Sequence, residues 1–137
     1  MMSRHVGMAA LLFLLTLPAL AQRSPAPPTE IPDKAVVVAS LWCDTPDQLE
    51  ALLRAHYIGK IPLDTAMAAI NRGNPEACIP ARAIVSVGAE VRRFTAEIAI
   101  FAVHEATVHG IMRGPYALMM RPQTWYHAKV IAELTPL

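Results

Sequence analysis

Two cysteines, Cys43 and Cys78, are the residues of this 137-residue chain whose chemistry is easiest to name. An even count in an oxidising compartment closes into a bridge, and with two sulfurs there is a single pairing. Cross-linking the roughly 36 residues they span would remove unfolded-state entropy worth about 3 to 4 kcal/mol in the chain-entropy model. That is a large part of the ~5 to 15 kcal/mol that holds a single domain together.

Cys43 also has a redox reading. The run Leu41, Trp42, Cys43, Asp44, Thr45, Pro46 resembles the strand, Trp-Cys and helix start of thioredoxin-like oxidoreductases. The resemblance implies a thiolate stabilised by the orphan donors of a helix N-terminus. Pro46 stands where the second cysteine of those enzymes would be, so the implied activity is monothiol. The likeness covers about ten residues, and the downstream chain lacks the alternating strands of that fold.

The run from His104 through Glu105 to His109 looks like a zinc-protease motif with one residue too many. Histidines five apart diverge by roughly 140° on a helix, and on a strand they face opposite sides. A joint ligand role is thereby excluded, leaving a partly buried His104 and a turn histidine at His109. Met112, Met119 and Met120, with His127 or His56, form a soft-donor set of the kind that suits Cu(I) in an exported carrier. Their competing role is gap-filling in a small core. Ser40 and Ser86 are strand residues without a visible base. There is no phosphate loop, serine elbow or dinucleotide glycine pattern, so no cofactor is expected.

The elements that would position these groups begin after a leader. Residues 1–21 have a short basic start with Arg4 and His5, an apolar run over 6–21, and small residues before Gln22, the layout of a cleavable secretory signal. Pro18 interrupts the run, which is shorter than the ~20 apolar residues of a membrane span. No cysteine follows Ala21 to be lipidated. The product is expected in the periplasm or outside the cell, with no membrane attachment after cleavage. Its eleven basic residues then balance eleven acidic ones, and Arg92 with Arg93 is too short a basic run to serve nucleic acid. Removing 21 of 137 residues leaves 116, room for one domain.

Pro25, Pro27, Pro28 and Pro32 make residues 22–34 a disordered spacer, leaving 35–137 as the single domain. Residues 35–42 are rich in Ala, Val and Leu and read as a buried strand. Thr45, Pro46, Asp47 and Gln48 then form a complete helix start, with Leu49, Leu52 and Leu53 as its apolar stripe. Gly59 is placed as the left-handed stop. A second helix is expected over 63–72, with Ala66, Met67 and Ile70 inward, making a two-helix hairpin. A helix-turn-helix reader of DNA does not suit an exported, charge-balanced chain.

From Ala81 onward the pattern is β. A strand over 83–87 stops at Gly88, another long β-rich stretch runs from Phe94 to Gly110, Gly114 and Pro115 turn, and a last strand covers 124–132. The fold class is α+β: an N-terminal strand, two helices, then a small antiparallel sheet of four or five short strands. Cys43, Asp44, Thr45, Pro46 and Gln48, together with Asn74, Pro75, Glu76, Ala77, Cys78 and the β-rich tail, resemble a group of small exported proteobacterial proteins with no assigned function. That resemblance implies a bacterial, periplasmic protein and no activity. The chain is thus read as a non-enzymatic binding module acting on an unknown protein or small ligand through a sheet face or exposed edge. Tyr116, Trp125 and Tyr126 are its candidate surface, because amphipathic rings are enriched at interfaces.

Overall fold

The computed structural model describes residues 31–135. The expected signal at 1–21 and most of the spacer lie outside the described residues. Four strands and two helices follow in the order β1 (Val36–Cys43), α1 (Pro46–Tyr57), α2 (Leu63–Ile70), β2 (Cys78–Ala96), β3 (Ala99–Arg113) and β4 (Tyr116–Glu133). All strand pairs are antiparallel, and the order β1-β2-β3-β4 closes on itself as a barrel. The molecule therefore combines two helices with a four-stranded antiparallel sheet and one disulfide.

The strands are not short. β2, β3 and β4 run for 19, 15 and 18 residues. Gly88 does not end a strand; it sits where the β2–β3 register slips between Val87 and Glu90. A Cβ there would lie 2.8 Å from Glu105 Cγ and 2.9 Å from its carbonyl oxygen, so the glycine lets two strands close around a bulge. Gly110 plays the same part on β3, beside a register slip after Val108 and 2.8 Å, at its notional Cβ, from the Leu118 carbonyl oxygen. Long strands that bend at bulges can roll up, which short straight ones cannot.

The break missed by the sequence pattern lies at Glu97 and Ile98, the two-residue turn between β2 and β3. Glu97 takes φ 57°, a conformation its residue type does not advertise. Gly114 and Pro115 make the β3–β4 turn, with Gly114 at φ 58°. Gly59 is not left-handed; Lys60 takes φ 54° instead. A Cβ on Gly59 would meet the Ala55 carbonyl oxygen at 2.8 Å, so close approach rather than backbone sign accounts for it.

α1 begins as its sequence dictates. Thr45 Oγ1 accepts from the Gln48 amide at 3.2 Å, and Gln48 Oε1 accepts from the Thr45 amide at 3.1 Å, a reciprocal capping box with Pro46 at the first helical position. Leu49, Leu52 and Leu53 then point into a cluster with Ala66 of α2 and with Cys43, Cys78, Phe94 and Phe101 of the sheet. Phe94 stacks on Phe101 at 5.3 Å, and Tyr57 caps Phe101 at 5.2 Å. Arg92 bridges to Asp47 and Glu50, fastening α1 to β2 from the solvent side.

A second cluster contains no helical residue. Trp42, Ala83, Val85, Ala106, Val108 and Trp125 come from all four strands, and each is at most 9% exposed. With no helix of the described residues contributing to it, this side-chain layer is enclosed by the curl of the sheet itself.

Candidate functional site

The disulfide end of the barrel is built around a strand pair. Cys43 lies directly opposite Cys78, with Cα atoms 4.1 Å apart and the sulfurs joined. Close Cα spacing marks the non-hydrogen-bonded kind of antiparallel pair, in which the backbone groups of both residues point away from each other. The outward-pointing amide and carbonyl of Cys78 would be orphaned. Asn71, at the C-cap of α2, answers both: its Oδ1 accepts from the Cys78 amide and its Nδ2 donates to the Cys78 carbonyl, each at 2.8 Å. One carboxamide thus imitates a neighbouring strand.

Cys43 and Cys78 are 1% and 0% exposed, and no free cysteine is present among the described residues. The thioredoxin-like monothiol reading needs a free Cys43 thiol, and here its sulfur is bonded to that of Cys78. A buried bridge with both sulfurs committed is a staple.

On the other face of the same strands lies a group of rings. His104 of β3 sits opposite His127 of β4, with ring centroids 6.0 Å apart. His127 is 1% exposed, stacks at 4.7 Å on Trp42, and has no hydrogen-bond partner at Nε2. Trp42 is itself fixed: its indole N–H donates to the Ala81 carbonyl at 3.1 Å and its ring lies 6.4 Å from Trp125. His104 is half-buried and directs Nδ1 toward the Gly88 carbonyl at 3.4 Å. Burial pushes the His127 pKa down to about 4, with the positive charges of Lys129 and His104 adding to the effect. His127 is therefore a neutral imidazole at neutral pH.

His109 is not a turn residue. It lies inside β3, 8% exposed, with Nε2 2.8 Å from Ser86 Oγ of β2. The base that Ser86 lacked in the sequence is thus present across the strands, and the two could form a nucleophile–base contact. The contact ties β2 to β3 and gives a buried imidazole a hydrogen-bond partner. As the strand period requires, His104 and His109 face opposite sides of the sheet.

The soft-donor set does not converge. Met119 pairs with Gly110 and Met112 with Ala117, near the β3–β4 turn, whereas His127 is opposite His104. Along β3 the partner of Met119 is six residues from the partner of His127, roughly 20 Å at ~3.3 Å per residue, and Met120 packs against the Trp42 cluster as a gap-filling side chain. His56 is elsewhere, on α1, with Nδ1 2.8 Å from the Ile61 carbonyl. Nor do the three aromatic residues share a surface. Tyr116 is 75% exposed at the turn, Trp125 is in the strand-only core, and Tyr126 packs partly buried on the helix-side cluster.

What stands open is a seam. All eight residues of β1 pair with β2, yet only Cys43 pairs with β4, at Tyr126. Among the described residues one edge of β1, from Val36 to Trp42, has no strand partner, and Val36 and Val37 are half exposed, as are Val130 and Ile131 on β4. No helix of the described residues is long and apolar enough to cross a membrane.

Fold and site together define a small, disulfide-stapled barrel with two helices clamped over one end. Comparison with known proteins adds nothing to that description: no family model, curated protein or solved structure matches the chain.

Proposed function

We propose that this chain is an exported, non-enzymatic binding module of the periplasm or cell exterior, which recognises an extended segment of a partner protein along the open β1–β4 seam. The observation that carries the reading is the β1 edge from Val36 to Trp42, which has no strand partner among the described residues although its other edge is paired with β2 along its whole length. Unpaired strand edges accept extended chains through main-chain hydrogen bonds, and exposed side chains along the seam supply selectivity. Val36, Val37, Val130 and Ile131 offer an apolar seam, so the segment expected there alternates apolar residues.

In this reading α1 and α2 act as a helical hairpin on the sheet, and the Cys43–Cys78 bridge holds β1 in place at its one closed end. The signal at residues 1–21 delivers the chain to a compartment where that bridge forms, consistent with the small exported proteobacterial proteins it resembles.

The test compares the full chain with a Val37→Lys, Ile131→Lys variant as bait in periplasmic extract. Both positions are exposed, so an unchanged melting temperature is expected. Capture of one partner by the parent and its loss in the variant supports the seam. Equal capture by both would remove the seam from the account.

A further inference from the structure

We propose that His104 and His127 form a binding site for a monovalent soft cation, Cu(I), held between their Nε2 atoms inside the barrel. Three independent features of the pair converge. First, the two residues are direct cross-strand partners on one face, and their ring centroids are 6.0 Å apart. With metal–nitrogen bonds of about 2.0 Å and a further ~1.2 Å from each nitrogen to its ring centre, two imidazoles sharing one ion have centroids roughly 5.5 to 6.4 Å apart, from bent to linear. The observed spacing is inside that interval.

Second, His127 Nε2 is a fully buried acceptor or donor with no partner. Buried polar atoms are otherwise nearly always satisfied, and one left bare in an aromatic layer costs about 1 to 3 kcal/mol. Third, the Gly88 carbonyl accepts from His104 Nδ1 at 3.4 Å. A carbonyl on the far nitrogen fixes the tautomer that leaves Nε2 its lone pair, the usual outer support of a metal-bound histidine.

The chemistry of the surroundings selects the ion. Zinc sites close with four protein ligands, or three and a water, and no group of three His, Cys, Asp or Glu side chains gathers among the described residues. Glu90, opposite His104, is already committed, with its two oxygens accepting from Arg93 at 2.7 and 2.9 Å. Two imidazole donors and no uncommitted carboxylate suit a singly charged d10 ion that accepts a linear pair, and not a doubly charged one. The Trp42 ring, 4.7 Å from that of His127, adds a polarisable face that tolerates a cation and excludes water. Half-buried His104 is the entry side.

This site does not depend on the seam or on export. The test is anaerobic titration of the full, oxidised chain with Cu(I) against the chromophoric chelator bicinchoninate, followed also by tryptophan fluorescence. One equivalent retained per chain with quenching of the indole emission is expected, while Zn(II) is not retained. His104→Ala, at a half-exposed position that leaves the fold intact, should weaken retention by at least roughly tenfold, and His127→Phe should abolish it. Failure of the parent to compete with bicinchoninate overturns the proposal. So does a His104→Ala chain that binds as tightly as the parent, or loss of binding on Met119→Leu, Met120→Leu with His104 and His127 intact. Should His127→Phe fail to fold, His104→Ala decides alone.

Discussion

A neutral imidazole sealed against Trp42 ties stability to pH at the scale of a single residue. His127 titrates near 6.5 in an unfolded chain and at about 4 in the fold. Between those values the unfolded state holds more protons, so stability is complete above pH ~6.5, falls as pH drops, and levels off below pH ~4. The shift corresponds to about 3 kcal/mol. We predict that denaturant midpoints of the chelator-treated protein decline across this window, and that His127→Phe, which keeps a ring against Trp42, removes that component of the decline. A second residue acts through backbone groups. Asn71→Ala strips the partners from both the amide and the carbonyl of Cys78, and is predicted to cost about 2 kcal/mol in equilibrium unfolding. An exposed-loop control such as Gly73→Ala, whose Cβ meets nothing within 4 Å, should stay within about 0.5 kcal/mol. None of these roles is visible in the sequence, because each depends on which strand lies opposite. His104 illustrates why. Counting outward from the Arg113–Tyr116 pair would set it against Trp125, but the register slip after Val108 moves it two places, to His127.

Elements separate into those specified locally and those specified by the sheet. The start of α1 belongs to the first kind: Thr45, Pro46 and Gln48 carry the whole capping geometry within four residues, and the structure contains it. Thr45→Ala should therefore lower stability by about 1 kcal/mol, or some 5 °C in a domain of this size, read by thermal unfolding. The long strands are of the second kind. Gly88 has the local signature of a stop, and it is the neighbouring strand, pressing Glu105 against it, that turns the stop into a bulge. Glu97 has no turn signature at all, yet it reverses the chain because Ala96 and Ala99 pair on either side. Gly110→Ala tests whether the bend needs its glycine. A Cβ there would fall 2.8 Å from a backbone oxygen, and we predict a loss of about 1 to 3 kcal/mol with a smaller refolded yield, against little change if the strand can relax.

For the whole molecule, the bridge does two things that the hydrogen-bond ladder does not. It fastens β1 at the one place where, among the described residues, β1 pairs with β4, and it anchors the cluster on which α1 and α2 rest. Its existence was legible in the cysteine count, as was the mixture of helix and antiparallel sheet. The closing of that sheet into a barrel was not, because curvature comes from bulges and bulges from non-local register. The sequence carries export and binding as expectations, whereas the histidine pair and the open seam come into being only when residues far apart in the chain become strand neighbours. The account rests most heavily on the covalent tie between β1 and β2. Peptide mass spectrometry of material recovered from outside the cytosol, alkylated before any reductant is added, tests it directly. We predict a single species in which the peptide holding Cys43 is joined to the one holding Cys78, and whose melting temperature drops when dithiothreitol opens it, by an amount matching about 2 to 5 kcal/mol. Recovery of both cysteines in alkylated form from folded protein would contradict the account.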